Sequence, residues 1–135
     1  LTKTLPSDLM NKFDVVFNHT TLEHIFEVEN AFKNLCLMSK NYVIVVVPFL
    51  QEMHASYGDY WRFTPLAIKE LFKKNGFETA YLSFNEDKKT SIYIFAVGTK
   101  KKRQRGSQMT LTMEQRKIFY VALMVLLDVG QFQIQ

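Results

Sequence analysis

The apolar positions of this chain change rhythm several times, and each rhythm names an element. Phe13-Asp14-Val15-Val16-Phe17-Asn18 is short, β-branched and aromatic, the make-up of a strand. Thr20-Thr21-Leu22-Glu23 follows with the spacing of a capping box, which predicts a helical turn. Val28, Ala31, Phe32 and Leu35 then recur at i, i+3, i+4 and i+7, predicting an amphipathic helix that runs to about Met38. Cys36 lies beside that stripe and reads as an inert core thiol. From Tyr42 to Val47 the chain is apolar without alternation, which predicts a strand covered on both faces. Pro48 ends it, having no N–H to give to the ladder.

A polar and aromatic loop from Gln51 to Phe63 leads to a well-punctuated second helix. Thr64 is its N-cap, Pro65 its first residue and Gly76 the residue just past its end. Ile68, Leu71 and Phe72 form its apolar stripe, and Phe77 is expected to touch Phe72 where the helix stops. Phe77 to Phe84 and Ser91 to Val97 read as two strands, joined by Asn85-Glu86-Asp87-Lys88-Lys89 in an antiparallel hairpin. Three segments follow from composition: a domain over 1–99, a basic linker over 100–108 and an apolar tail helix over 109–135. Strands alternating with helices imply parallel βαβ units, so the fold class is α/β, with the last strand running against the others.

At 135 residues, 47% hydrophobic and 22% charged, the chain is one globular domain in size and is not disordered. The single cysteine excludes an internal disulfide and points to a reducing, cytoplasmic setting. The net charge of +4 is local: Lys100, Lys101, Lys102, Arg103 and Arg105 carry five positive charges, leaving the rest of the chain at −1. That argues against a nucleic-acid-binding face across the domain. No signal peptide opens the chain, and the longest apolar run, Ile118 to Leu127, is ten residues. A membrane-spanning helix needs about 20. Burial against protein is the favoured fate of the tail helix, with peripheral membrane contact through residues 100–127 as the other outcome.

In open α/β sheets ligands sit beyond the carboxyl ends of the parallel strands. Two segments fall there: Asn18 to His24 after the first strand, and Pro48 to Arg62 after the second. They hold all three histidines, His19, His24 and His54, and the only tryptophan, Trp61. Such clustering of titratable groups marks a candidate site.

Phe13-Asp14-Val15-Val16 followed by Leu22-Glu23-His24, the Val46-Val47-Pro48 strand ending, Asp59-Tyr60-Trp61-Arg62-Phe63-Thr64-Pro65, and Asn75-Gly76-Phe77 together resemble one branch of the class I S-adenosylmethionine-dependent methyltransferases. The resemblance covers roughly Leu5 to Gly98. It implies the C-terminal half of a Rossmann-like methyltransferase sheet, its last four strands, with the final strand antiparallel and inserted between the two before it. It implies S-adenosylmethionine as cofactor and a small-molecule or sugar-like methyl acceptor. Asn18, His19 and Glu23 would lie on the cofactor side, His24 would be the general base, and Tyr57, Tyr60, Trp61 and Arg62 would meet the substrate. The family's glycine-rich turn and the acidic residue after its second strand have no counterpart, and no Gly-x-Gly occurs in the chain. The chain alone is therefore expected to bind the cofactor weakly or not at all. The partner is expected to be a second copy, in a homodimer, or the missing N-terminal half.

Each of these residues also has a plainer reading. Glu23 closes the capping box with Thr20, and His24 is a hydrogen-bonded structural histidine. Arg62 pairs internally with Glu23 or Asp59, the aromatics pack, and Asp14 is structural. His19 and His24 are five apart, off the i, i+4 spacing of paired helix ligands, and lack cysteine or carboxylate companions, so no metal site is expected. The alternative to an enzyme is a non-catalytic methyltransferase-like module that uses the basic segment and tail helix to bind a partner or an anionic surface.

Overall fold

The computed structural model describes residues 1–54, 58–84 and 93–100. All of them lie in one compact unit, Leu1–Lys102. Strand β1 is Phe13–His19, helix α1 Val28–Met38, strand β2 Ser39–Pro48, helix α2 Pro65–Lys74, strand β3 Phe77–Phe84 and strand β4 Tyr93–Lys100. Short 3-10 turns at Ser7–Leu9 and Leu22–His24 punctuate the chain. The expected hairpin loop, the start of the last strand at Ser91, Tyr57, the basic linker beyond Lys100 and the tail helix fall outside the described residues.

The four strands form one sheet in the order β1-β2-β4-β3. β1 and β2 are parallel; β4 runs antiparallel to both β2 and β3. The last strand therefore inserts between the two that precede it, as the resemblance implied. Its apolar content explains the placement. Ile94, Phe95, Ala96 and Val97 are all buried, and each is paired with a buried residue of β2, from Val47 back to Ile44. A strand this apolar on both faces belongs in the middle of a sheet.

One face of the sheet carries the helices. Val43, Val45 and Val47 share a core with Ala31, Phe32, Leu35 and Cys36 of α1 and with Ile68 and Phe72 of α2. The α1 residues are those that the 3.6-residue period selects. Phe32 and Phe72 meet edge to face at 5.0 Å. Gly98 of β4 makes room for this contact: a Cβ there would lie 2.2 Å from the Phe72 ring. The opposite face, Ile44, Val46, Phe95 and Val97, is buried as well. Cys36 is a core thiol that burial pushes up to about 12, far from its reactive form.

The punctuation of α2 is as expected. The Thr64 hydroxyl accepts the Ala67 N–H at 3.1 Å, Pro65 opens the helix and Gly76 follows it at φ +76°. The Phe72 and Phe77 rings stack at 6.3 Å. Both long strands overrun their expected ends. β2 begins at Ser39 because its polar first residues are still in register with β1, starting at Phe13. β4 reaches Lys100 because Phe77 pairs with it there.

The capping box is a correction. Thr21, not Thr20, precedes the 3-10 turn, and no side chain caps it. The Thr21 hydroxyl instead donates back to the His19 carbonyl at 3.0 Å. Thr20 sits at φ +44°, a left-handed conformation that costs a β-branched residue about 1–3 kcal/mol. This kink turns the chain off β1 and sends the Glu23 side chain inward rather than back to the turn's N–H groups.

Candidate functional site

Parallel β1 and β2 deliver their carboxyl ends to one edge, with His19 in register with Val46. The loop after each strand leaves from that edge, and the two are joined where the Tyr60 N–H donates to the Glu23 carbonyl at 2.8 Å. The second loop is closed at its base by the Phe63 N–H, which donates to the Pro48 carbonyl at 2.8 Å. The Trp61 indole N–H donates to the Ile25 carbonyl at 3.0 Å. The Leu22-Glu23-His24 turn and the Asp59-to-Arg62 segment, 35 residues apart or more, thus face one another.

His24 Nδ1 lies 2.8 Å from the Gly58 carbonyl oxygen. A carbonyl only accepts, so Nδ1 carries a proton. Gly58 takes φ +50°, which a side chain would strain, and this aims its carbonyl at the ring. Nε2 is 4.0 Å from Glu23 Oε1. The Glu23 side chain is 0% exposed, and among the described residues neither carboxylate oxygen has a hydrogen-bond partner. Desolvation raises its pKa above the ordinary 4.5. His54, from the second loop, stands edge-on to His24 at 5.5 Å between ring centroids.

Asp59 is also buried but fully engaged. Both oxygens take the Arg62 guanidinium, at 2.7 and 2.8 Å, and Oδ2 accepts the His54 backbone N–H at 3.0 Å. The Arg62 hydrogen bonds hold its carboxyl well below the usual carboxylate range. Arg62 gives its remaining donors to the carbonyls of Gln51, Trp61 and Glu52. All five guanidinium N–H groups are thereby used inside the loop. Of the two internal partners expected for Arg62, the structure selects Asp59, and a substrate clamp at Arg62 has no donor left to offer.

The other candidates divide by exposure. Asn18 is buried at the end of β1, and its Oδ1 has no partner among the described residues. His19 is exposed, its Nδ1 2.9 Å from the Thr20 hydroxyl. Tyr60 and Trp61 are exposed at 53% and 36%, and Phe26, at 64%, lies against both rings. Phe26 was not singled out in the sequence; its place two residues after His24 was the only available signal. A surface depression of about 260 Å³ beside Lys69, Lys73 and Phe77 contains none of these residues.

Along the chain, His24 has only His19 as a nearby histidine. The fold instead groups His24 with Glu23 and His54, whose ligand atoms all lie within 4.8 Å of one another.

No protein-family model matches the sequence, and neither does any curated protein. Solved structures do match. Magnesium protoporphyrin IX methyltransferase from Synechocystis PCC 6803, with S-adenosylhomocysteine bound, aligns at TM-score 0.54 and 12% identity, over 67% of this chain and 46% of its own. Burkholderia thailandensis 1,6-didemethyltoxoflavin-N1-methyltransferase, with its toxoflavin substrate and S-adenosylhomocysteine, aligns at 0.55 and 14%, over 69% and 46%. A protein solved in complex with the Haloferax volcanii Trm112 methyltransferase activator aligns at 0.59 and 14%, over 76% and 60%. The fold is that of the class I S-adenosylmethionine-dependent methyltransferases, and the chain spans about half the length of the first two.

Proposed function

We propose that this chain is the acceptor-side portion of an S-adenosylmethionine-dependent methyltransferase that modifies a small-molecule or sugar-like acceptor. The observation that carries this reading is the pair of loops locked together at the carboxyl edge, on a sheet whose neighbours include methyltransferases solved with S-adenosylmethionine or its product. Phe26, Tyr60 and Trp61 would form the wall against which a flat or ring-shaped acceptor lies. Arg62 contributes by holding the loop through Asp59. His24 would deal with the acceptor's proton, its ring oriented by Gly58.

The residues present fit the cofactor only in part. Asn18 Oδ1 and the Glu23 carboxylate are unpartnered acceptors suited to a donor group, and His19 stands exposed beside them. The glycine-rich turn that admits the cofactor's methionine end has no counterpart in this sequence. Bound S-adenosylmethionine supplies an already activated methyl group, so the protein's task is alignment and proton handling. The missing contacts would come from another segment beside β1, which sits at the sheet edge with Phe13 and Phe17 exposed at 42% and 49%.

Calorimetric titration tests the reading. The isolated 135-residue chain is expected to bind S-adenosylmethionine weakly or not at all. A chain that pairs a strand carrying Gly-x-Gly with β1 is expected to bind at micromolar level and to methylate small acceptors. Tight binding by the isolated chain would refute the division of labour; no binding and no methylation with the added strand would refute the function.

A further inference from the structure

We propose that Glu23, His24 and His54 form a binding site for a divalent first-row transition cation of the Zn²⁺ and Co²⁺ class. Four observations converge on it.

The first is proximity. One ligand atom from each residue lies within 4.8 Å of the others. Donors about 2.0–2.2 Å from a shared ion stand roughly 3–4 Å apart, so a modest rotation closes the set. His54, 39% exposed, has the freedom to make it.

The second is the state of Glu23. A carboxylate that is 0% exposed, with neither oxygen hydrogen-bonded to another described residue, has given up its water without a partner of the kind Asp59 has. Buried charges are paired or coordinate metals. The chain does not treat buried carboxylates this way in general: Asp59, two elements away, is completely satisfied.

The third is the orientation of His24. Its Nδ1–H donates to the Gly58 carbonyl, the arrangement by which metal-ligating histidines are aimed, and Nε2 lies 4.0 Å from Glu23 Oε1.

The fourth is support behind His54. Its Nδ1 lies 3.6 Å from Asp59 Oδ2, and Asp59 is itself immobilised by Arg62. Asp59 thus stands on the Nδ1 side of the ring, where a small movement would bring it into the position of a carboxylate that orients a metal-bound histidine.

Two imidazoles and one carboxylate select borderline transition ions over Mg²⁺ or Ca²⁺, which prefer all-oxygen sets. Three protein ligands leave coordination positions open. A cation held there would engage the His24 nitrogen that the methyl-transfer reading uses as a base. That consequence rests on the methyl-transfer reading; the cation site does not.

The test uses the full chain after chelator treatment. Co²⁺ is titrated while its visible d–d bands are recorded, and Zn²⁺ is titrated by calorimetry, with no S-adenosylmethionine present. One ion per chain is expected. Glu23→Gln and His54→Ala are each expected to weaken it about tenfold or more, while His19→Ala leaves it unchanged. Far-UV circular dichroism checks the fold. Should Glu23→Gln fail to fold, the exposed His54→Ala decides alone. Absence of binding, or equal affinity in wild type and both ligand variants, overturns the proposal. Neither result touches the cofactor titration above, so the two readings fail separately.

Discussion

Asp59 and Glu23 are both carboxylates withdrawn from water on neighbouring loops, at 1% and 0% side-chain exposure, yet their surroundings are opposite. Asp59 is gripped by a bidentate guanidinium and a backbone N–H, while Glu23 has no guanidinium partner among the described residues. Their pKa values move in opposite directions as a result: hydrogen bonds from Arg62 lower Asp59, and desolvation raises Glu23. A buried charge that is satisfied builds architecture. One that is left unsatisfied costs stability unless an ion, a water or a proton answers it.

The sharpest way to break this contrast is Arg62→Ala. It would leave the Asp59 carboxylate buried without its partner and release three loop carbonyls. Thermal denaturation should show a melting temperature lower by on the order of 10 °C. Arg62→Lys should recover only part of it, because an ammonium lacks the fork that takes both Asp59 oxygens. A melting temperature unchanged by Arg62→Ala would show that the node holds nothing together.

Glu23→Gln should do the reverse in chelator-treated protein at neutral pH. Replacing an unpaired buried carboxylate with a neutral isostere is expected to stabilise by about 1–3 kcal/mol in urea denaturation. The two carboxylates also give stability opposite pH slopes. Asp59, lowered in the fold, contributes stability that is present above its unfolded value of 3.8 and lost as pH falls through its folded value. Glu23, raised in the fold, holds its proton to higher pH in the native chain than in the unfolded chain. Stability therefore declines as pH rises above 4.5, and Glu23→Gln should abolish that decline. A wild type and a Gln variant with parallel pH profiles would contradict it. Saturating Zn²⁺ should narrow the gap between them at neutral pH, since binding to the native state adds stability.

The smallest effect belongs to His54→Ala without metal. The ring is 39% exposed and the backbone N–H that reaches Asp59 survives the change, so stability should shift by within about 0.5 kcal/mol. With Zn²⁺ present the same variant should lose the stabilisation that wild type gains. That pairing separates a ligand from a structural residue.

Much of the architecture was readable before any coordinates. The stripe Val28, Ala31, Phe32 and Leu35 gave α1 its bounds and its buried face, and Thr64, Pro65 and Gly76 gave α2 both ends. The non-alternating Tyr42 to Val47 run announced a strand buried on both faces. The candidate site was readable only as two loops. Spacing along the chain linked His24 to His19, a near neighbour, and could not link it to His54, which lies thirty residues on. It paired Glu23 with Thr20 for the same reason, and left Arg62 with two possible partners.

Local periodicity and capping chemistry act over a few residues, so the sequence by itself determined where helices and strands lie and which faces they bury. Whether a polar side chain is satisfied depends on groups brought from far away once parallel β1 and β2 share an edge. That step turned Thr20 into a kink instead of a cap, spent all five donors of Arg62 on Asp59 and loop carbonyls, and left Glu23 buried beside two histidines with its charge unanswered. Only the tertiary structure decided these, because desolvation and long-range hydrogen bonding exist only after the chain has closed on itself.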